Sequence, residues 1–167
     1  MTLITTLHGT PVRIWFLLAG LVALGLSQAR PHTLGAARAA ALPAAPFVLS
    51  LAGVASSFGL GAATLAAWLA GAGLAFSLVP RWLPRAEGRW SDALDRVHVA
   101  GSWLPLALIV GLFTIKYVAG TSLALHPQAA SDAVFAVPFC FAYGLFAGAF
   151  AVRGRQLWQL RRRELHA

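Results

Sequence analysis

The chain has 167 residues, 59% of them hydrophobic and only 11% charged, with a formal net charge of +8. Soluble domains run at about 45–50% apolar and about 25% charged, so this composition excludes an ordinary soluble domain and points to a membrane protein. The basic excess does not imply nucleic acid, because the arginines flank apolar segments and membrane topology accounts for them.

A spanning helix needs roughly 20 mostly apolar residues. The first such run is 11–29. Thr10 is placed to cap it, Pro11 suits its first position and Pro31 stops it. From Ala41 to Val79 the chain is nearly all apolar, too long for a single crossing at about 1.5 Å per residue. The turn-rich "SSFGLG", Ser56–Gly61, divides it into spans at 43–58 and 60–79.

Pro80 and Pro84 open the polar segment "PRWLPRAEGRWSDALDRVH". Ser91 as cap, Asp92 and Arg96 at i,i+4, and Leu94 and Val97 on one face predict a short amphipathic helix there. It leads into a fourth span at 100–119, with Pro105 as a kink near its start. A fifth span follows at 132–152. The tail "RGRQLWQLRRRELHA" interleaves arginines with Leu157, Trp158 and Leu160, the pattern of a basic interfacial helix. The fold class is therefore all-α: one domain over 1–167, a bundle of five transmembrane helices. No internal repeat is visible.

Charge sets the orientation. With the N-terminus outside and the C-terminus cytoplasmic, three inner segments hold eleven of the thirteen basic residues: Arg30–Arg38, Arg81–Arg96 and the tail. That is a positive-inside pattern. Trp82, Trp90, Trp103 and Trp158 fall near the same inner interface, whereas Trp68 is mid-span and needs packing. Removal of the first span as a signal peptide after Ala29 would instead put four arginines outside, against the rule. The expected location is a bacterial inner membrane, with anionic lipid headgroups beside the arginine-rich loops.

Helices in lipid associate through small residues. Ala63, Ala67, Gly71 and Ala75 repeat every four residues in the third span, and Ala136, Cys140, Gly144 and Gly148 in the fifth. Either they pack the helices of one chain, or they form a face for a homo-oligomer or another membrane protein. The lone cysteine, Cys140, reads as a small buried hydrophobe.

No HExxH, GxSxG, CxxC or P-loop occurs. The five histidines all fall in end regions, and none pairs with another at ligand spacing on one helix. No metal or cofactor is expected, and no enzyme signature is present. One feature invites chemistry. Lys116 is the only lysine, and it sits in the apolar "LALIVGLFTIKYVAG". A lysine at the centre of a spanning helix costs about 2.5–3.5 kcal/mol, far more than one near an end. If the fourth helix ends at Ala119, Lys116 is an interfacial anchor. If it runs to Leu125, Lys116 needs a partner, and Asp132 on the next span is the nearest by topology. Lys116, Tyr117 and Asp132 form the candidate polar site.

The motifs "HGTPV", the "RP" closing the first span, and "GSWLPLALIVGLFTIKYVAGTSLALHP" resemble a family of small uncharacterised bacterial inner-membrane proteins, a domain of unknown function. The resemblance implies membership and supplies no catalytic residues. The expected function is a non-enzymatic membrane component or accessory subunit. The alternative is a small transporter or channel-like protein using Lys116 and Asp132.

Overall fold

The computed structural model describes residues 12–30, 32–82, 88–91, 96–99 and 101–164. Five helices follow in chain order: α1 Val12–Ala29, α2 Ala36–Phe58, α3 Ala62–Trp82, α4 Leu104–Leu125 and α5 Ala133–Glu164. A short 3-10 turn, Pro127–Ser131, joins α4 to α5. The membrane-crossing part is all-α. Three stretches are long and apolar enough to cross a membrane: Ala62–Arg81, Leu104–Leu125 and Ala133–Gln156. Within α2 the apolar stretch is Ala44–Phe58. The Thr10–Pro11 cap and the last three residues lie outside the described residues.

The five helices fall where the five apolar runs do, but their ends differ for identifiable reasons. α2 begins at Ala36 instead of 43, because the alanine-rich "AARAAAL" is strong helix former and Pro43 does not break it. The turn is where "SSFGLG" puts it. Gly59 takes φ 73°, a left-handed conformation that glycine adopts without strain, and its N–H bonds the Ala55 carbonyl. The Thr64 hydroxyl then faces the carbonyls of Gly59 and Gly61 at 3.0 and 2.9 Å.

Pro105 does not kink α4. It sits in the first turn, where a missing N–H costs nothing, and so it sets the start of α4 at Leu104. The Ser102 hydroxyl accepts the Leu104 N–H at 3.3 Å. At the other end α4 passes straight through Gly120 and stops at Leu125. Pro127 is the cause, since it drives His126 out of the helical region, to φ −134° and ψ 74°. The fifth span and the basic tail are a single helix, α5, whose arginine, glutamine and leucine residues favour continuation.

The described ends of the amphipathic helix expected from Ser91 are not helical. Gly88–Ser91 and Arg96–Val99 are instead strands β2 and β3, and His32–Gly35 is β1. Arg96-Val97-His98-Val99 alternates polar and apolar with period 2, and its valines favour extended backbone. The strands form an antiparallel sheet in the order β1-β3-β2, with Val97 opposite both Leu34 and Trp90. Residues 92–95 lie outside the described residues.

This sheet belongs to one end of the bundle. β1 links α1 to α2, β2 follows α3 and β3 precedes α4. The α5 chain passes beside β2. The Arg155 guanidinium sits 5.5 Å over the Phe76 ring near the C-terminal end of α3. On the described backbone, Arg30, Arg38, Arg81, Arg89, Arg96 and the arginines at the end of α5 fall at this end, whereas Arg85 lies outside the described residues. The α2–α3 turn and the Pro127–Asp132 connection close the opposite end.

Candidate functional site

The tightest packing joins α3 to α5. A Cβ built on Gly71 would collide with the Phe141 carbonyl, and one on Gly144 with the Trp68 carbonyl. One on Gly148 would strike the Ala72 carbonyl. Only residues without a side chain let these two backbones approach so closely. Ala67, Ala75 and Cys140 are buried along the same seam. The small-residue stripes thus face each other inside one chain.

α2 closes over this pair. Its Phe58 lies against Phe135 and Phe139 of α5, with ring centroids 6.1 and 6.0 Å away. Between the three helices is a polar centre that the apolar pattern does not announce. Ser50 of α2 is fully buried. Its hydroxyl donates to the Tyr143 carbonyl of α5 at 2.7 Å and accepts the Trp68 indole N–H of α3 at 3.1 Å. One serine therefore ties three helices. The bond to Tyr143 also uses a second lone pair of a carbonyl within α5. Trp68, mid-span, is only 5% exposed and meets Phe47 edge-on at 5.2 Å. Val54, Cys140 and Ala147 fill in around it.

The Tyr143 hydroxyl is the exception. It is buried without a hydrogen-bond partner among the described residues. Its ring lies flush on Gly53 of α2, 3.0 Å from where a Cβ would stand. Ser57, one turn further along α2, flanks the hydroxyl without meeting hydrogen-bond geometry.

α1 and α4 pair along the side of this core. Gly25 admits Leu106, and Gly101 meets the Ala29 carbonyl. α4 reaches α5 where Phe146 covers Gly111. The candidate polar residues lie on this outer pair and on the α4–α5 connection. Lys116 is exposed, nine residues before the end of α4 at Leu125. Tyr117 is half-buried, stacked on Phe113 at 6.2 Å with 18° between planes. Asp132 caps α5: its Oδ1 accepts the Val134 N–H at 2.9 Å. That role fits an aspartate at an N-cap. Lys116 lies about 14 Å of helical rise before the end of α4, and Asp132 comes only after the Pro127–Ser131 turn beyond that end. The structure does not bring these two charges together.

Sequence reading missed Ser50 and its bond to Tyr143. A serine and a tyrosine in apolar helices look like tolerated polar residues, and nothing local marks them as meeting across 93 positions. The nearest signal was Trp68, a mid-span indole that requires an acceptor when buried.

These features define a class: a small helical membrane protein with a sealed three-helix core, a lateral helix pair and a basic end. Within that class the chain is a member of the family of unknown function DUF6622, whose model matches residues 1–167. No curated protein and no solved structure matches it. Among the described residues no group of three metal-capable side chains occurs.

Proposed function

We propose that this protein is a non-enzymatic integral component of a bacterial inner membrane, an accessory or assembly subunit with five transmembrane helices. Its N-terminus is outside and its C-terminus cytoplasmic. The supporting observation is the fate of its buried polar groups. The Ser50 hydroxyl and the Trp68 indole are consumed in holding α2, α3 and α5 together. The small-residue seam of α3 and α5 is likewise filled by its own chain. Polar groups used in this way hold helices in a fixed packing.

The orientation rests on the arginine segments gathered at the sheet end, which the positive-inside rule assigns to the cytoplasm. Anionic headgroups of that leaflet would meet these arginines, and each contributes about 1 kcal/mol near such a surface. The test is extraction from native membranes in mild detergent, followed by native mass measurement. A stoichiometric second protein is expected. A lone chain, or one carrying only a small-molecule substrate, would overturn the reading.

A further inference from the structure

The depth of Lys116 carries a consequence. α4 covers Leu104–Leu125, so Lys116 lies about 18 Å from one end and about 14 Å from the other. A bilayer core is about 30 Å thick, which places this cation close to its midplane. The neighbouring helix gives the same depth. Gly111 packs on Phe146, and five residues along each antiparallel helix bring Lys116 to within about a turn of Phe141. The Phe141 carbonyl abuts Gly71, the middle of the apolar stretch Ala62–Arg81. A stem of four methylenes does not carry an ammonium from there to either headgroup layer.

Among the described residues no carboxylate lies in a spanning stretch with it. The chain's carboxylates are Glu87, Asp92, Asp95, Asp132 and Glu164. Residues 1–11 contain no acid. A second copy would bring the same five residues at the same depths, so self-association leaves Lys116 unpaired. Yet a charge at the centre of a bilayer is retained only where it has a partner or a function.

Around it the surface suits a helix. Lys116, Gly120 and Ala124 recur every four residues, and all three are exposed. A Cβ at Gly120 would meet nothing within 4 Å, so another backbone can come close beside the lysine. The stacked Phe113 and Tyr117 form one wall.

We propose that this face of α4 docks a transmembrane helix of a second, different protein that carries an aspartate or glutamate at the depth of Lys116. The proposal rests on the accessory-subunit reading and names the chemistry of its partner. In a medium of low dielectric, a carboxylate is the complement that offsets the ammonium's desolvation.

The only lysine also supplies the test. Dicyclohexylcarbodiimide, added to native membranes, activates apolar carboxylates. The Lys116 amine then attacks the acylisourea, forming an amide and releasing the urea. Mass mapping should find Lys116 joined to an Asp or Glu within an apolar stretch of a different protein. Lys116→Arg keeps the charge and should keep the partner in the native particle, while losing the cross-link. Lys116→Met should lose both, with partner retention down by at least about tenfold. An amide to Asp132, to a second copy or to a fatty acid overturns the proposal. So does a partner that stays fully bound in Lys116→Met, although the accessory reading then survives. A native particle with no second protein defeats both.

Discussion

The Trp68 indole of α3 donates to the Ser50 hydroxyl of α2 at 3.1 Å, across the turn that joins their helices. Because Ser50 also donates to the Tyr143 carbonyl, this bond is the middle of a chain through three helices. Ser50→Ala should therefore lose two bonds, and Trp68→Phe only one. Interhelical hydrogen bonds in membranes average about 0.6 kcal/mol and reach about 1.7, so Ser50→Ala is expected to cost about 1–2 kcal/mol. A double-mutant cycle, followed by reversible unfolding in mixed detergent, should return a coupling of about 0.5–1.5 kcal/mol. Strict additivity would show that the two side chains do not interact.

Tyr143→Phe should go the other way. The hydroxyl is buried without a partner, so its removal deletes an unsatisfied group and keeps the ring on Gly53. Stability should be unchanged or rise by up to about 1–2 kcal/mol. A clear loss in the same unfolding assay would mean that the hydroxyl is held, with Ser57 the first residue to inspect.

Glycines sort by what stands opposite them. Gly71→Ala and Gly144→Ala place a Cβ against carbonyl oxygens of the facing helix, which side-chain rotation cannot relieve. Each should cost about 1–3 kcal/mol, the usual range for overpacking. Gly73→Ala, where nothing lies within 4 Å, is the control and should be neutral or slightly stabilising. Equal effects at all three sites would refute the seam.

The two ends should label from opposite sides. In a Cys140→Ala background, cysteines at Leu60 and Gln128 mark the turn end, and cysteines at Arg81 and Arg155 the sheet end. An impermeant maleimide applied to intact cells is expected to modify the first pair only. Inside-out vesicles should give the reverse. Labelling of all four from one side would sink the proposed topology.

Some of this architecture is legible one residue window at a time. The five helices, the "SSFGLG" turn and the clustering of arginines follow from apolar content, glycine and proline placement, and charge. Those are local quantities, because each helix satisfies its own backbone whatever surrounds it. Helix ends were less legible where a signal was ambiguous. Gly120 resembled a stop, yet Pro127 decided the end of α4, since a proline acts sterically on the residue before it whereas a helical glycine costs only about 1 kcal/mol. The segment after α3 carried both a helical spacing and a two-residue alternation, and pairing with His32–Gly35 settled it as sheet.

Sequence by itself determined that this chain belongs in a membrane, where its helices start and turn, and that one lysine stands among apolar residues. Tertiary structure decided which faces meet. It turned the stripes of Gly71 and Gly144 toward each other, joined Ser50 to Trp68 and Tyr143, and left Lys116 exposed on α4. The physical reason is that lipid exerts no hydrophobic force between helices. Their partners are chosen by close fit and by a few polar contacts between residues far apart in the chain, and no local pattern encodes either.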